Sequence, residues 1–461
     1  AEVPVYLTSL QFVGQSALKV STDELDKTID LNKTKEVVDA LSFRIPVHVN
    51  ATARPDRPYF YRPSIIQNQY STAGDAPVFL PHSPASLKAH ATYEVNGVEV
   101  NVERTVRMRR SNLPYGYKSE PLRILPRVSV NASPATRMIP VQKGGRFEVE
   151  VEVVNNDDSG TDGVLSLQLP EGWRSYPDVH LVQFASSGER DIFVFEVEAG
   201  DLAERVYDIH VACVIDDVAY SEGYEKIERN EFETQYLYES AMIQVRGVDV
   251  DIAENLNVGY IMGVGDEVPS GIQQLGATVE LLDEQDLARA ELSSYDVIVV
   301  GTRGYAVRDD LLNYNNRLMD YARNGGHVVV LYQTPEYQPE HMAPYTASLP
   351  RNAEEVSEQD SPVTVLEPDN PVFHAPNTIT ESDFDGWVEQ RGSKFFSTWD
   401  SNYTPLVEMH DTGQPPQKGA WLTAAVGEGR FTYFALAIHR QTPYAVPGPY
   451  RIFANVLSLG Q

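Results

Sequence analysis

The sequence predicts two β-sandwich modules followed by one α/β domain. Three observations carry that expectation. Apolar and polar residues alternate in short runs through residues 1–246, the periodicity of half-buried strands. From residue 250 the pattern becomes strand, helix, strand, helix, strand, the order of a parallel sheet with right-handed crossovers. At 461 residues the chain is long enough for roughly two to four domains.

The first unit is placed at 1–128. Residues 41–49 (LSFRIPVHV) and 91–106 (ATYEVNGVEVNVERTV) alternate with period two. Asn96-Gly97 marks a hairpin, because both central positions of a primed turn need positive φ. Between these runs lies a Pro/Tyr-rich stretch, 54–63 (RPDRPYFYRP). It is no helix, since each proline removes a donor and fixes φ. A loop packed over the sandwich by its aromatics is expected there.

The second unit is placed at 129–246. In 145–155 (GRFEVEVEVVN), Phe147, Val149, Val151 and Val153 share one face, with glutamates on the other. The turn 155–163, the run 164–169, the turn Pro170-Glu171-Gly172-Trp173 and the run 190–197 (RDIFVFEV) follow at sandwich spacing. The closing strand is 239–245. Cys213 lies in the apolar run 206–215 and reads as a buried core thiol.

The third unit is placed at 250–461. Strands are expected at 257–262, 278–282, 295–300 and 327–332, with later β structure at 419–424 and 430–438. The last parallel strand, HVVVLY, is continuously apolar, as a strand covered on both faces must be. Helices are expected at 269–275, 309–324 and 449–459. The middle one carries an inward stripe of Leu311, Leu312, Asn315, Leu318, Tyr321 and Ala322. Residues 245–257 read as a short exposed linker.

Composition excludes several functions. Acidic residues outnumber basic ones 66 to 37, for a net charge of −29, which is the wrong sign for a nucleic-acid partner. No stretch of about 18 apolar residues exists to span a membrane. A single cysteine excludes an intrachain disulfide and a cysteine-based zinc site. The chain opens on Ala-Glu-Val-Pro-Val-Tyr-Leu without an initiator Met or a signal peptide. A removed leader, or a larger N-terminal part that is absent, is the expectation.

Candidate chemistry concentrates at the carboxyl ends of the parallel strands, where doubly wound sheets bind ligands. Asp266 and Glu267 follow the first strand, Arg303 and Tyr305 the third, and Gln333 and Thr334 the fourth; His439 and Arg440 follow the last β run. Arg303 is placed to pair with Asp266 or Glu267. Gly263 and Gly265 suit a tight strand-to-helix turn with Asp266 capping the helix, and the two acids there repel a phosphate. No Gly-x-Ser-x-Gly or Gly-x-Cys-x-Gly elbow exists, so Thr334 with His439 is the one nucleophile–base pair on offer. The ten histidines include no His-x-x-x-His pair, so no metal site is expected. His327 and His374 read as structural. His439-Arg440-Gln441 reads equally as a site or as a satisfied loop. Tyr59, Phe60, Tyr61 and Trp173 are candidates for a sugar-stacking platform, against the alternative that they pack their own loops.

Several motifs are specific enough to carry a resemblance. Segments 259–269 (GYIMGVGDEVP), 295–307 (YDVIVVGTRGYAV), 370–387 (NPVFHAPNTITESDFDGW), Glu389-Gln390-Arg391-Gly392 and 427–460, with HRQTPYAVPGPYRIFANVLSLG, resemble the C-terminal half of large secreted bacterial PIG-L/LmbE-type deacetylases. Residues 54–63 and 95–106 resemble the β module that precedes it there. The resemblance covers roughly 40–461. It implies immunoglobulin-like sandwiches and a class I amidotransferase-like (flavodoxin-like) last domain. The family's zinc deacetylase domain lies N-terminal and carries Ala-His-Pro-Asp-Asp-Glu plus a downstream His; neither occurs here, so no zinc ligand maps onto this chain. The amidotransferase cysteine is missing near Gln333.

The resulting expectation is an accessory region of a secreted, periplasmic or cell-surface N-acetylsugar or glycan deacetylase, serving binding, orientation or assembly. It has no cofactor of its own, and its partners are a glycan or other protein subunits. In a longer protein the activity would be zinc-dependent deacetylation. The alternatives are a structural protein of an extracellular assembly and an independent hydrolase using Thr334 and His439.

Overall fold

The computed structural model describes residues 3–21, 29–30, 44–50, 52–74, 80, 83–111, 113–114, 116–229 and 231–460. Much of it is β structure in stacked sheets, as the alternating runs require. The expected strand residues 41–43 lie outside the described residues.

In the first unit, β1 (Val5–Gly14), β2 (Leu87–Val95) and β3 (Val98–Thr105) form an antiparallel sheet, with Ile29–Asp30 on the outer edge of β1. Val95 sits opposite Val98, and the two residues between them, Asn96 and Gly97, have φ of 50° and 78°. That is the primed two-residue turn the sequence announces. The alternation misleads at Val47–Val49, however. This three-residue strand pairs with Leu18–Val20 and is exposed throughout. Alternation shows that a strand has an apolar face to bury; a covering layer has to be supplied by the rest of the fold. The short hairpin β4 (Arg107–Ser111) and β5 (Tyr117–Pro121) leads out of this unit.

The second unit is a two-sheet sandwich. One sheet runs β6 (Val128–Ser133), β8 (Arg146–Asn155), β12 (Arg190–Glu198), β10 (Arg174–Tyr176). The other runs β7 (Thr136–Pro140), β16 (Met242–Val248), β13 (Val206–Ile215), β9 (Thr161–Gln168), β11 (Val179–Phe184). A hairpin of β14 (Glu222–Arg229) and β15 (Phe232–Ser240) projects from it. Phe147, Val149, Val151 and Val153 on β8 are all buried, facing Ile209, Val211 and Cys213 on β13 in one core. Burial pushes the Cys213 thiol up to about 11, so it packs as an inert apolar group. Trp173 is also in this core, 7 % exposed, with its ring between Phe147 and Tyr207. It therefore leaves the candidate sugar platform.

The third unit is built on a seven-stranded sheet. Its order is β18 (Thr278–Leu281), β17 (Asn257–Ile261), β19 (Val297–Val300), β20 (His327–Leu331), β22 (Gly429–Phe434), β21 (Trp421–Val426) and then Thr404–Pro405. The first five are parallel and the last two pairings antiparallel. Helices α1 (Val268–Leu275), α2 (Glu284–Arg289) and α3 (Asp309–Arg323) make the crossovers, and a turn of helix, α4 (Ile438–Gln441), precedes the final α5 (Pro447–Ser458). The α3 stripe is buried as its spacing requires, except that Leu312 is 38 % exposed and Met319 takes its place inside.

The expected exposed linker is exposed only in part: Asp249, Asp251, Glu254 and Asn255 face solvent, and the apolar residues between them do not. Val248, Val250 and Ile252 are buried in the core of the third unit, together with Met138 from β7. The Met138 N–H donates to Gln274 Oε1 at 2.7 Å, and Lys143 Nζ donates to the Leu275 carbonyl at the end of α1 at 3.0 Å. A junction of alternating valines and isoleucines buries better than it solvates, each side chain contributing about 1.5–3 kcal/mol.

Candidate functional site

The segments that leave the parallel strands meet as the topology requires. Val264 N–H donates to the Thr302 carbonyl at 3.1 Å, and Arg303 N–H to the Tyr332 carbonyl at 2.9 Å. The approach is so close at Gly263 that an added Cβ would lie 2.0 Å from the Thr302 oxygen. Only glycine fits there.

Asp266 is the hub of this edge. Its carboxylate accepts from Tyr260 Oη (2.9 Å), Val268 N–H (3.1 Å) and Thr302 N–H (3.3 Å), so it both starts α1 and ties two strand ends together. Burial, with Asp266 alongside, pushes the Tyr260 phenol well above its ordinary range. Glu267 is exposed. Arg303 does not form the pairing expected with Asp266 or Glu267. It is exposed, in a left-handed conformation at φ 55°, and its charge acts on Glu336. Asp266 is instead met by three neutral donors of its own. The Thr334 hydroxyl holds the Glu336 carboxyl below its usual range, ahead of Arg303 and Arg351.

Two of the sequence candidates turn inward. Gln333 is fully buried: its Nε2 donates to the carbonyls of Gly301 (2.9 Å) and Leu331 (3.1 Å), and its Oε1 accepts from Tyr305 N–H at 3.2 Å. Tyr305 is 2 % exposed, its hydroxyl donating to Asn315 Oδ1 at 2.6 Å and its ring 4.6 Å from that of Tyr337. Both fasten the loops from within.

His439 stands at the side of the edge. Its ring stacks on Tyr332 at 5.8 Å. Burial, with Arg440 adding to it, lowers its pKa to about 4, against the opposing pull of Asp266 and Glu389. The imidazole is therefore neutral at pH 7. Arg440 is committed to Glu389, Nη1 to Oε2 at 2.5 Å. No hydrogen bond joins Thr334 to His439 among the described residues, so the nucleophile–base pair of the hydrolase alternative is not assembled. No group of three or more His, Cys, Asp or Glu side chains is placed to hold a metal among the described residues.

Sequence reading missed several residues of this edge. Thr302, Tyr337 and Thr442 are buried with hydroxyl oxygens that have no partner, as are Nδ1 of His439 and Nε of Arg440. Nothing in the local sequence distinguishes these hydroxyls from ordinary loop residues. A separate cleft of about 1970 Å³ lies between the first unit and the sandwich, lined by Arg110, Arg123, Tyr224 and Tyr236 among others. None of its lining residues belongs to the third unit.

The motifs that carry the family resemblance have a structural role. Arg391, 3 % exposed, donates to the Ser361 carbonyl at 3.0 and 2.8 Å and to the Phe384 carbonyl. Gln441 closes a two-bond ring with the Val388 backbone, both at 2.9 Å. Asn455 accepts from Asn377 N–H at 2.9 Å and donates to the carbonyls of Val372 (2.8 Å) and Asn377 (2.7 Å). Asp383 pairs with Arg451 at 2.6 Å.

No protein-family model and no curated protein matches the chain. Among solved structures, it is similar to an exo-β-1,4-mannosidase from Opitutaceae bacterium strain TAV5, at 11 % identity over 45 % of this chain and 36 % of that one, with a TM-score of 0.27. It is similar to a cold-adapted β-galactosidase from Rahnella sp. R3, at 13 % identity over 44 % of this chain and 31 % of that one, TM-score 0.26. WR4, an MSP family member from C. elegans, matches at 12 % identity over 26 % of this chain and 97 % of that one, TM-score 0.17. Likenesses this slight decide nothing about activity.

Proposed function

We propose that this chain is a non-catalytic accessory region of a secreted PIG-L/LmbE-type deacetylase, in which immunoglobulin-like sandwiches and an amidotransferase-like α/β domain bind and orient an N-acetylated glycan. The parallel strand order, with the first-occurring strand second and the later three following in sequence, supports the flavodoxin-like assignment. One observation carries the non-catalytic reading. The second residue after β20, at the turn where such a fold would display its nucleophile, is Gln333, and its side chain is fully buried and spent on three backbone groups. An amide in that position holds loops and attacks nothing.

The test is to incubate the purified chain with N-acetylated oligosaccharides, following acetate release, and to probe a glycan array with it in parallel. Binding without turnover is expected. Hydrolysis of an amide or ester that disappears in the His439→Ala variant would overturn the non-catalytic reading. Failure to bind any glycan, with self-association or protein capture instead, would favour the structural role in an extracellular assembly.

A further inference from the structure

The sandwich has four sheet edges, and three of them are covered or cut short. β7 lies against the third unit, with Met138 buried in the core there. β6 lies under β14, where Gly223 comes so near that an added Cβ would sit 2.4 Å from the Val130 carbonyl oxygen. β10 is three residues long and begins with Arg174. These are the usual protections of an edge, which otherwise offers unpaired N–H and C=O groups to another strand.

The fourth edge, β11, has none of them. It pairs with β9 on one side only, and among the described residues 179–184 make no backbone hydrogen bond outside that ladder. Its six residues, Val-His-Leu-Val-Gln-Phe, include no proline and no charged side chain, in a chain where 22 % of residues are charged. His180 turns inward, its ring 4.6 Å from that of Phe195 and its Nε2 2.9 Å from the Val194 carbonyl oxygen. Val182 and Phe184 are buried beside it. Val179, Leu181 and Gln183 therefore face out, and Leu181 is 72 % exposed.

The apolar surface runs inward from this edge. Leu181 is opposite Val164 on β9, Val164 is opposite Val214 on β13, and Val214 is opposite Ala219 in the short strand Val218–Tyr220. All four side chains are exposed. An apolar row that ends at an open ladder asks for a strand carrying the same row. That strand must also bring no acid against Asp178, which precedes β11, or Asp162, which Gln183 Nε2 holds at 3.3 Å.

β11 itself meets these requirements. A two-fold axis through Leu181, perpendicular to the sheet, sets a second β11 antiparallel to the first with the same face up. Leu181 then faces Leu181, Val179 faces Gln183 and Asp178 faces Phe184, so no two acids meet although each copy carries a net charge of −29. The row Ala219, Val214, Val164, Leu181 of one copy continues into the same four residues of the other in reverse order.

We propose that the chain pairs with a second copy of itself through β11, joining two sandwich sheets into one. The proposal stands apart from the glycan-binding reading. A six-residue edge is small beside the roughly 800 Å² per partner of a standard interface, so a dissociation constant on the order of 10 μM is expected.

The experiment is sedimentation velocity of the full chain from about 1 to 300 μM, where a shift from monomer to dimer is expected. Leu181→Lys sets like charges directly opposite one another and should raise the dissociation constant about tenfold or more. The position is exposed, so the thermal transition should stay where it is. Leu181→Cys should cross-link two chains on air oxidation, because directly opposed residues lie about 4.5–5.5 Å apart at Cα, within disulfide reach. Val206→Cys, exposed on β13 but away from the edge, should not, and the native Cys213 is buried. A chain that stays monomeric at every concentration would overturn the proposal, whatever other strand then takes the edge. A dimer that Leu181→Lys leaves intact, or cross-linking at residue 206 and not at 181, would overturn it as well.

Discussion

The sandwich and the third unit hold themselves together by different means. The sandwich core is apolar side chains on long regular strands, so its backbone groups satisfy one another through the ladders. The third unit has an equally apolar sheet, but 332–420 covers it with strands of only two or three residues and a few turns of helix. Backbone in that segment has few ladder partners. Arg391, Gln441, Asn377 and Asn455 supply the missing bonds from buried side chains. Irregular structure can be buried, then, only where long polar side chains are placed to meet its carbonyls and amides.

That difference is open to breaking by mutation. The largest effect should come from Arg391→Ala, which strands the carbonyls of Ser361 and Phe384 and leaves a cavity beside Trp387; a loss of about 3–5 kcal/mol is expected in chemical denaturation. Arg391→Lys should recover little of it, because an ammonium cannot span both carbonyls. In the sandwich, Phe195→Ala should cost a similar amount, yet Phe195→Leu should recover most of it, since an apolar site asks for volume rather than geometry. Equal rescue by Lys and Leu would erase the distinction between the two cores.

A smaller effect is expected at Gln333. Its three backbone bonds make Gln333→Ala cost about 2 kcal/mol, more than the near-neutral change expected of a polar loop residue. A thermal transition identical to that of the parent chain would show that the loops at this edge hold without it.

The pH dependence sharpens the comparison further. His327 is buried at the start of β20, its Nε2 beside Thr432 Oγ1 at 2.9 Å, and burial lowers its pKa from 6.5 to about 3, with Arg430 adding to the effect. The unfolded chain takes a proton below pH 6.5 that the native chain refuses. The stability it contributes is therefore complete above pH 6.5 and is lost as pH falls toward 3, at about 1.4 kcal/mol per pH unit. His327→Gln should flatten that slope in urea titrations across the window. An unchanged slope would mean that other groups set the acid limit.

How much of this was legible beforehand varies with the kind of signal. Strand periodicity located the β8 core residues, the Asn96-Gly97 turn and the parallel strands, because those depend on neighbours in sequence. The same signal failed at Val47–Val49, where burial depends on what lies opposite, and of the two readings offered for Trp173 the packed one holds. Of the candidate site, Asp266, Arg303 and His439 do come to one edge, as strand order implies. Gln333 and Tyr305 point inward, which no local pattern records. The quoted motifs NPVFHAPN, EQRG and HRQTPY look like chemistry in one dimension and are backbone staples in three.

The sequence by itself determined the element types, the change from sandwich to α/β order near residue 250, the inert thiol and the absence of a serine or cysteine elbow. Those follow from periodicity and residue identity alone. Tertiary structure decided that Val248, Val250 and Ile252 are core rather than linker, that Asp266 is occupied by Tyr260, Val268 and Thr302, and that Ile65 of the first unit packs against the core of the third. The physical reason is that burial and hydrogen-bond satisfaction belong to pairs of surfaces, and the second surface is chosen only when the chain has folded.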